Sequence, residues 1–136
     1  MASWEYELAA PPSDRRALEL WLQHAAGFIL FEDVRRYAME RIPSSLSDET
    51  RAAVQKGIDE AVYGLMMVID GVSGGIWNAN HKVYIDFVVR LAKRVDSRDD
   101  GLLSEVDLRR GDGMCMGYHY WLEGEFGTHP VAVRRS

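Results

Sequence analysis

The side chains most able to do chemistry lie together between residues 111 and 127, in the stretch GDGMCMGYHYWLEGEFG. Cys115, the single cysteine of the chain, precedes His119 by four residues, and this spacing places both side chains on one face of a helix or of a strand. If the segment is a helix, Glu123 joins that face one turn later. A thiol, an imidazole and a carboxylate together could bind a metal ion, or the imidazole could activate the thiol as a nucleophile.

Two observations weigh against chemistry at this cysteine. Structural zinc sites usually have four Cys or His ligands in closely spaced pairs, and the sequence offers no second cysteine. An isolated cysteine more often serves as a small buried apolar residue. The sequence therefore predicts no metal and no cofactor and favours a protein that is not an enzyme, with Cys115 and His119 kept as the candidate catalytic residues.

The same stretch holds three aromatic residues, Tyr118, Tyr120 and Trp121. As a strand, the segment would place Tyr118 and Tyr120 on one face and His119 with Trp121 on the other, and it would complete or cover a sheet. Such aromatic side chains pack in a core, or they anchor an interface because they bury a large area and keep a polar tip. Core packing is the favoured interpretation, and the three residues are also the candidate anchors for a partner.

Asp70 and His81 are two further candidates for binding. Asp70 stands at the predicted end of a helix, in MMVIDGVSGG, where a carboxylate meets the negative end of the helix dipole and needs a partner, solvent or a place in an Asp-Gly turn. The turn is the favoured interpretation. His81, in NANH, either lines a polar pocket between helix and sheet or belongs to a surface turn. The glycines of DGVSGG follow a helix and no Gly-Lys-Ser/Thr sequence is present, so no phosphate loop is predicted.

Two helices are predicted ahead of these residues. Ser13 or Asp14 can cap a first helix that runs to about Ile42. Ser47 can cap a second helix with a continuous apolar stripe, which ends at the glycines of DGVSGG. We expect the two helices to pack as an antiparallel pair.

The hydrophobic period changes from 3.6 to 2 after GGIWNANH, so strands follow the helices. Apolar residues alternate from Val83 to Leu91, which predicts one long half-buried strand. VDSRDDG is a polar turn to a second strand in LLSEVDLRR, and VAVRR supplies a short last strand. The predicted fold is a single α+β domain over residues 1–136, in which two N-terminal helices pack as an antiparallel pair on a small antiparallel sheet. An extended N-terminal segment covers 1–12, the helix pair 13–72, and the sheet with the C-terminal segment 82–136.

Composition and charge exclude several classes of protein. The formal net charge of −5 argues against nucleic acid as a partner, because no Lys/Arg cluster could neutralise a run of phosphates. The longest aliphatic run, GLMMVI, is far shorter than the roughly 20 apolar residues of a membrane span, so no membrane association is expected. One cysteine allows no internal disulfide, and the first residues lack the basic and apolar regions of a signal peptide. We therefore expect a soluble, cytoplasmic protein.

The function predicted from these features is protein binding. A small acidic α+β protein without a catalytic set fits a protein–protein interaction module, of which the bacterial immunity proteins that inhibit a toxin are an example. The alternative is a small enzyme or ligand-binding domain with a pocket near Cys115 and His119. Self-association is compatible with either function, since one face of the sheet needs cover, and a homodimer would then bury Val88 and Ala92.

Overall fold

The structure, a computed structural model, describes residues 2–136. Its α-helical elements, in chain order, are a long first helix made of α1 (Arg15–Leu30), a π-helical turn (Phe31–Arg36) and α2 (Tyr37–Glu40), then α3 (Asp48–Ile69) and α4 (Met114–Leu122). Short 3-10 helices occur at Ala2–Glu5 and Leu108–Arg110. Within the described residues, no helix combines the length and the apolar character that a membrane span needs.

The strands that the structure describes form three separate antiparallel pairs. The pairs are β1 (Tyr6–Leu8) with β6 (Ala132–Arg134), β2 (Gly75–Trp77) with β3 (Lys82–Tyr84), and β4 (Val88–Val95) with β5 (Arg98–Asp107). Helices combined with small antiparallel sheets confirm the α+β class. The last strand predicted in VAVRR is confirmed, and its partner β1 comes from the segment that the sequence predicted to be extended.

The predicted helix boundaries are confirmed where a local cap defines them. Asp14 Oδ2 accepts a hydrogen bond from the backbone N–H of Ala17 at 2.9 Å, and Ser47 Oγ accepts one from Thr50 at 3.2 Å. α3 ends just before Gly71, whose φ of +76° is a conformation that residues with side chains rarely adopt. These signals could be recognised in the sequence because each depends on residues that are neighbours along the chain.

The expected antiparallel pair of N-terminal helices is not confirmed. α1 packs on α4 and on the β4–β5 hairpin, and α3 also packs on α4, whereas α3 meets the first helix mainly through the π-helical turn and α2. The sequence left residues 114–122 as either a helix or a strand, in a segment expected to complete the sheet or pack on it, and the structure makes them a helix. As a helix, the segment presents Met114, Tyr118 and Trp121 to the core on one side. Because α1 and α3 both pack on this helix, they do not form the direct pair that the sequence predicted.

The single long strand expected over residues 83–91 is also wrong. β3 and β4 are separated by residues 85–87, which belong to neither strand. The break occurs because β3 pairs with β2, whereas β4 pairs with β5, so the chain changes partner between them. The predicted alternation survives only from Phe87 onward, since Phe87 and Val89 are half-buried, while Val83 is exposed.

The core consists of two adjoining groups of buried side chains. The first group contains Ala26, Val62, Met66, Ile69, Leu108, Met114, Tyr118 and Trp121, and the second contains Trp21, Leu22, Ala25 and Val131. Val89, Val106 and Phe126 pack against both groups and so connect them. The β4–β5 hairpin therefore contributes one face to the core and leaves its other face, which carries Val88 and Ala92, exposed.

Candidate functional site

α4 begins without a capping side chain of its own, and Asp70 supplies the cap. Gly113, with a φ of +104°, stands at the N-cap position and offers no side-chain acceptor. From the end of α3, Asp70 accepts hydrogen bonds from the backbone N–H groups of Met114 (2.6 Å, to Oδ1) and Cys115 (2.9 Å, to Oδ2). The carboxylate thus satisfies two N–H groups that have no partner inside the helix and lies at the positive end of the α4 dipole.

This contact corrects the interpretation of Asp70 as mainly a turn former. The turn itself is present, since Gly71 has a positive φ. The larger role, however, is to join the end of α3 to the start of α4, and both carboxylate oxygens are engaged in it. The sequence could show that Asp70 needed a partner, but the partner lies about 45 residues away, at a distance that no local pattern encodes.

The surroundings of Cys115 are the opposite of those that activate a cysteine. Burial raises the pKa of its thiol, and the Asp70 carboxylate raises this pKa further through hydrogen bonding and charge, against a smaller lowering effect of Tyr63. Reactive cysteines lie beside cations or at helix N-termini that lower the pKa. At α4 the carboxylate of Asp70 already occupies the helix N-terminus, so Cys115 is a protonated thiol at neutral pH.

His119 faces an open groove between α3 and α4, where its ring lies against Tyr63 with centroids 5.9 Å apart. The groove is lined by Ala52, Gln55, Lys56, Asp59, Glu60, Tyr63, Tyr118, His119 and Leu122. Cys115 does not line this groove and lies beside Asp70, although Tyr63 neighbours both candidate catalytic residues. Among residues 2–136, no three His, Cys, Asp or Glu side chains are grouped as metal ligands.

A polar network at the groove joins Arg35, Asp59 and Tyr118. Asp59 Oδ1 accepts hydrogen bonds from Arg35 Nε at 2.6 Å and from the Tyr118 hydroxyl at 2.8 Å. Burial and the adjacent Asp59 carboxylate raise the pKa of Tyr118 to about 12. Although burial acts to raise it, the pKa of Asp59 is lowered by its hydrogen bonds from Arg35 and Tyr118 and by the Arg35 charge. Sequence reasoning missed Arg35 and Asp59, which carry no local signal of being paired.

Trp121 is a core residue whose ring fits against two glycines. A Cβ atom at Gly27 of α1 or at Gly117 of α4 would collide with the Trp121 ring. The ring stacks on Phe126 with centroids 6.1 Å apart, and Nε1 donates to His24 Nδ1 at 3.0 Å. Burial lowers the pKa of His24, which favours the neutral imidazole that can accept this hydrogen bond. Sequence reasoning assigned His24 no role, because its partner lies 97 residues further along the chain.

The three aromatic candidates therefore divide between core and surface. Tyr118 and Trp121 are 3% and 2% exposed, so neither offers a partner an accessible surface, and the favoured interpretation as core residues fits them. Tyr120 is 50% exposed on α4 and remains available for contact.

His81 lies on the surface, at the turn that joins β2 to β3. Asn78 Oδ1 accepts hydrogen bonds from the backbone N–H groups of Asn80 (2.9 Å) and His81 (2.8 Å), which is the pattern of an Asn-stabilised turn. The His81 side chain is exposed. The turn expected in NANH is therefore present, and the recess that His81 lines is formed by residues 77–82 of the hairpin itself.

The β2–β3 hairpin and the residue that follows it expose large apolar side chains that sequence reasoning did not select. Ile76, Trp77, Val83 and Ile85 are 80%, 72%, 71% and 54% exposed, and we call these four residues the hairpin surface. Ile76 and Val83 are direct cross-strand partners, so they share one face, whereas Trp77 is opposite Lys82. The sequence signal was present in GGIWNANHKVYI, but the alternation assigned Val83 and Ile85 to the buried row of a longer strand.

Comparison with protein-family models, with curated proteins and with solved structures finds no match for this chain.

Proposed function

We propose that this protein is a protein–protein interaction module and that its partner binds the hairpin surface. The single observation that carries the proposal is the exposure of Ile76, Trp77 and Val83 on a two-stranded hairpin. A hairpin of three-residue strands is at best marginally stable by itself in water, and large apolar side chains exposed together on one hairpin are typical of interaction sites.

The expected energetics favour Trp77 as the main anchor. Tryptophan, tyrosine and arginine dominate binding energies at interfaces, and a partner that covers Trp77 removes the largest apolar side chain of the hairpin from water. Ile76 and Val83 form the neighbouring cross-strand pair and lie on the other face of the hairpin from Trp77, so a partner that also covers that face gains about 1.5–3 kcal/mol for each of these side chains that it buries completely. Loss of the Trp77 ring should therefore weaken binding by about tenfold or more.

The alternative, a small enzyme with a site near Cys115 and His119, has less support. Burial and the Asp70 carboxylate raise the pKa of the Cys115 thiol, which disfavours the nucleophilic thiolate, and Cys115 does not line the groove that His119 faces. A partner-inhibiting role such as that of a bacterial immunity protein is one form of the proposed function, and the net charge of −5 would attract a basic toxin. The lone Cys115, which has no disulfide partner, fits a reducing compartment such as the cytoplasm.

A matched pair of valines tests the proposal in the native host. A photo-reactive phenylalanine analogue replaces either Val83 on the hairpin surface or Val54 on α3, which is also surface-accessible. The partner recovered from the Val83 cross-link is identified, purified and titrated against the wild type, Trp77→Ser and, as an aromatic control elsewhere on the surface, Tyr120→Ser.

Support for the proposal requires a heteromeric cross-link at position 83 that is absent at position 54, together with weakened binding by Trp77→Ser but not by Tyr120→Ser. The proposal fails if both positions cross-link the same proteins, if neither gives a cross-link, or if Trp77→Ser binds the purified partner as tightly as wild type. A cross-link to a second copy of the chain alone would replace it with self-association through the hairpin, rather than through the face carrying Val88 and Ala92 that the sequence suggested.

A further inference from the structure

The glycine-rich segment between α3 and β2 is shaped around two cationic side chains. A Cβ atom at Gly71 would lie 2.7 Å from Arg109 Nη1, and one at Gly75 would lie 3.2 Å from Lys82 Cε. The glycines thus let the guanidinium and the lysine side chain pack directly on the backbone. Together with Trp77, these elements enclose a surface recess, lined by Gly71–Gly75, Trp77, Lys82 and Arg109, which we call the cationic recess.

Arg109 is held in one orientation within the recess. Its Nε donates to Asp86 Oδ1 at 3.0 Å, and its guanidinium carbon lies 4.8 Å from the centre of the Tyr84 ring. Only a quarter of the side chain is exposed, at 25%. Nη2 donates to the backbone oxygen of Ile85 at 3.5 Å, whereas Nη1, which packs against Gly71, makes no hydrogen bond to residues 2–136 and is the one guanidinium nitrogen left to donate to a ligand.

Lys82 supplies a second positive charge that the protein itself does not neutralise. Its ammonium lies 5.5 Å from the Tyr84 ring and forms no ion pair with any carboxylate among residues 2–136. The carboxylate nearest in sequence to the glycines, Asp70, is occupied by the N–H groups of α4. With Asp86 balancing Arg109, the recess retains about one net positive charge on a protein whose net charge is −5.

We infer that the cationic recess binds an acidic side chain of the protein partner, an Asp or Glu next to the apolar residues that cover Trp77. This inference rests on the proposed function and specifies the chemistry of the partner. A guanidinium held in a fixed orientation forms charge-assisted hydrogen bonds to a carboxylate with little further loss of entropy. Because Trp77 and Lys82 are cross-strand partners on one face of the hairpin, the same partner segment can contact Trp77 and reach the recess.

Hexaglutamate serves as the first probe, in an NMR titration of the isotope-labelled full chain at low ionic strength. We expect saturable shifts of the Trp77 indole and of the amides of residues 71–75. Lys82→Gln should raise the apparent Kd about two- to fivefold, the effect of one partly exposed ion pair, whereas Lys93→Gln on β4 removes the same charge elsewhere and should leave it unchanged. Hexalysine should cause no shift at these residues.

The partner identified by cross-linking supplies the second measurement. Lys82→Glu should weaken its binding by about tenfold or more and slow its association, and Lys93→Glu should have little effect. The inference is overturned if hexaglutamate shifts are spread over all basic residues, or if the two lysine variants behave alike. Competition by inorganic phosphate at equal charge concentration would also overturn it, since the recess would then be a site for small anions.

The two proposals fail separately. If Trp77→Ser abolishes partner binding and Lys82→Glu does not, the hairpin surface binds the partner but the recess holds no acidic side chain. If Trp77→Ser leaves partner binding intact, the proposed function itself is refuted, whatever hexaglutamate does.

Discussion

Removal of the Asp70 carboxylate tests whether α4 depends on a cap that comes from a different helix. Asp70→Ala deletes both acceptors and leaves the N–H groups of Met114 and Cys115 unpaired at a part-buried site. Asp70→Asn keeps one acceptor oxygen but places an amide donor opposite the second N–H group and removes the negative charge. The two variants therefore separate loss of the hydrogen bonds from loss of the charge.

The expected magnitude follows from the two contacts. Loss of a capping side chain costs about 0.5–2 kcal/mol, and hydrogen bonds to a charged group contribute about 1.5–3 kcal/mol each. Since the two bonds share one carboxylate, we expect Asp70→Ala to lower the free energy of unfolding by about 2–4 kcal/mol and Asp70→Asn by about half as much. In a chain of this size, the alanine variant should then melt about 10 °C lower.

Chemical denaturation followed by circular dichroism and by tryptophan fluorescence measures both variants. Ser47→Ala is the matched control, because Ser47 caps α3 locally through neutral hydrogen bonds with Thr50 alone, and its loss should cost about 1 kcal/mol. If Asp70→Ala costs no more than Ser47→Ala, the cap across helices contributes nothing beyond an ordinary one, and the role assigned to Asp70 is refuted.

The thiol of Cys115 gives a second, independent measurement on the same variant. Asp70 raises the pKa of Cys115, so Asp70→Asn should lower that pKa and speed alkylation of the folded protein at neutral pH. An alkylation rate in folded Asp70→Asn equal to that of the wild type would show that the carboxylate does not control the thiol.

Four further substitutions test the packing and the titrating groups. Gly27→Ala should lower the free energy of unfolding by about 1–3 kcal/mol, because its Cβ meets the Trp121 ring. Gly57→Ala, with open space around it, should raise the free energy of unfolding by up to about 1 kcal/mol. Equal effects of the two substitutions in thermal unfolding would contradict this packing. The pKa of His24 is lowered from 6.5 by burial, so the folded state should lose stability as the pH falls below 6.5, and this loss should shrink in His24→Gln when unfolding is measured across the acidic range. The pKa of Tyr118 is raised from 10.0 to about 12, so stability should fall as the pH rises through that range, and Tyr118→Phe should remove this part of the alkaline loss.

The sequence determined the elements whose causes are local. The caps at Asp14 and Ser47, the glycine stop after α3 and the last strand all depend on a few adjacent residues, and each is where the sequence placed it. The α+β class followed from the change of hydrophobic period. The core face of the first helix could likewise be predicted from the sequence, because Trp21 and Leu22 recur at helical spacing, and both are buried.

Only the tertiary structure decided the conformation of the segment 114–122 and the hydrogen-bond partners of Asp70. The segment 114–122 is apolar on several sides, and neither period dominates, so its helical form depends on the Asp70 cap and on space beside Gly27. The same holds for Asp59, whose two partners lie on different helices.

The hairpin surface shows most clearly the difference between what the sequence determines and what the tertiary structure determines. The sequence alone marked Val83 as an apolar residue in a strand, and alternation assigned it to the core. The chain instead changes strand partner at residues 85–87, and this change leaves Val83, with Ile76 and Trp77, facing solvent. Burial of an apolar strand residue is favourable whether it occurs in the core of its own chain or at an interface with a partner. Which of the two it reaches is determined by strand pairing between distant residues, and that pairing belongs to the tertiary structure.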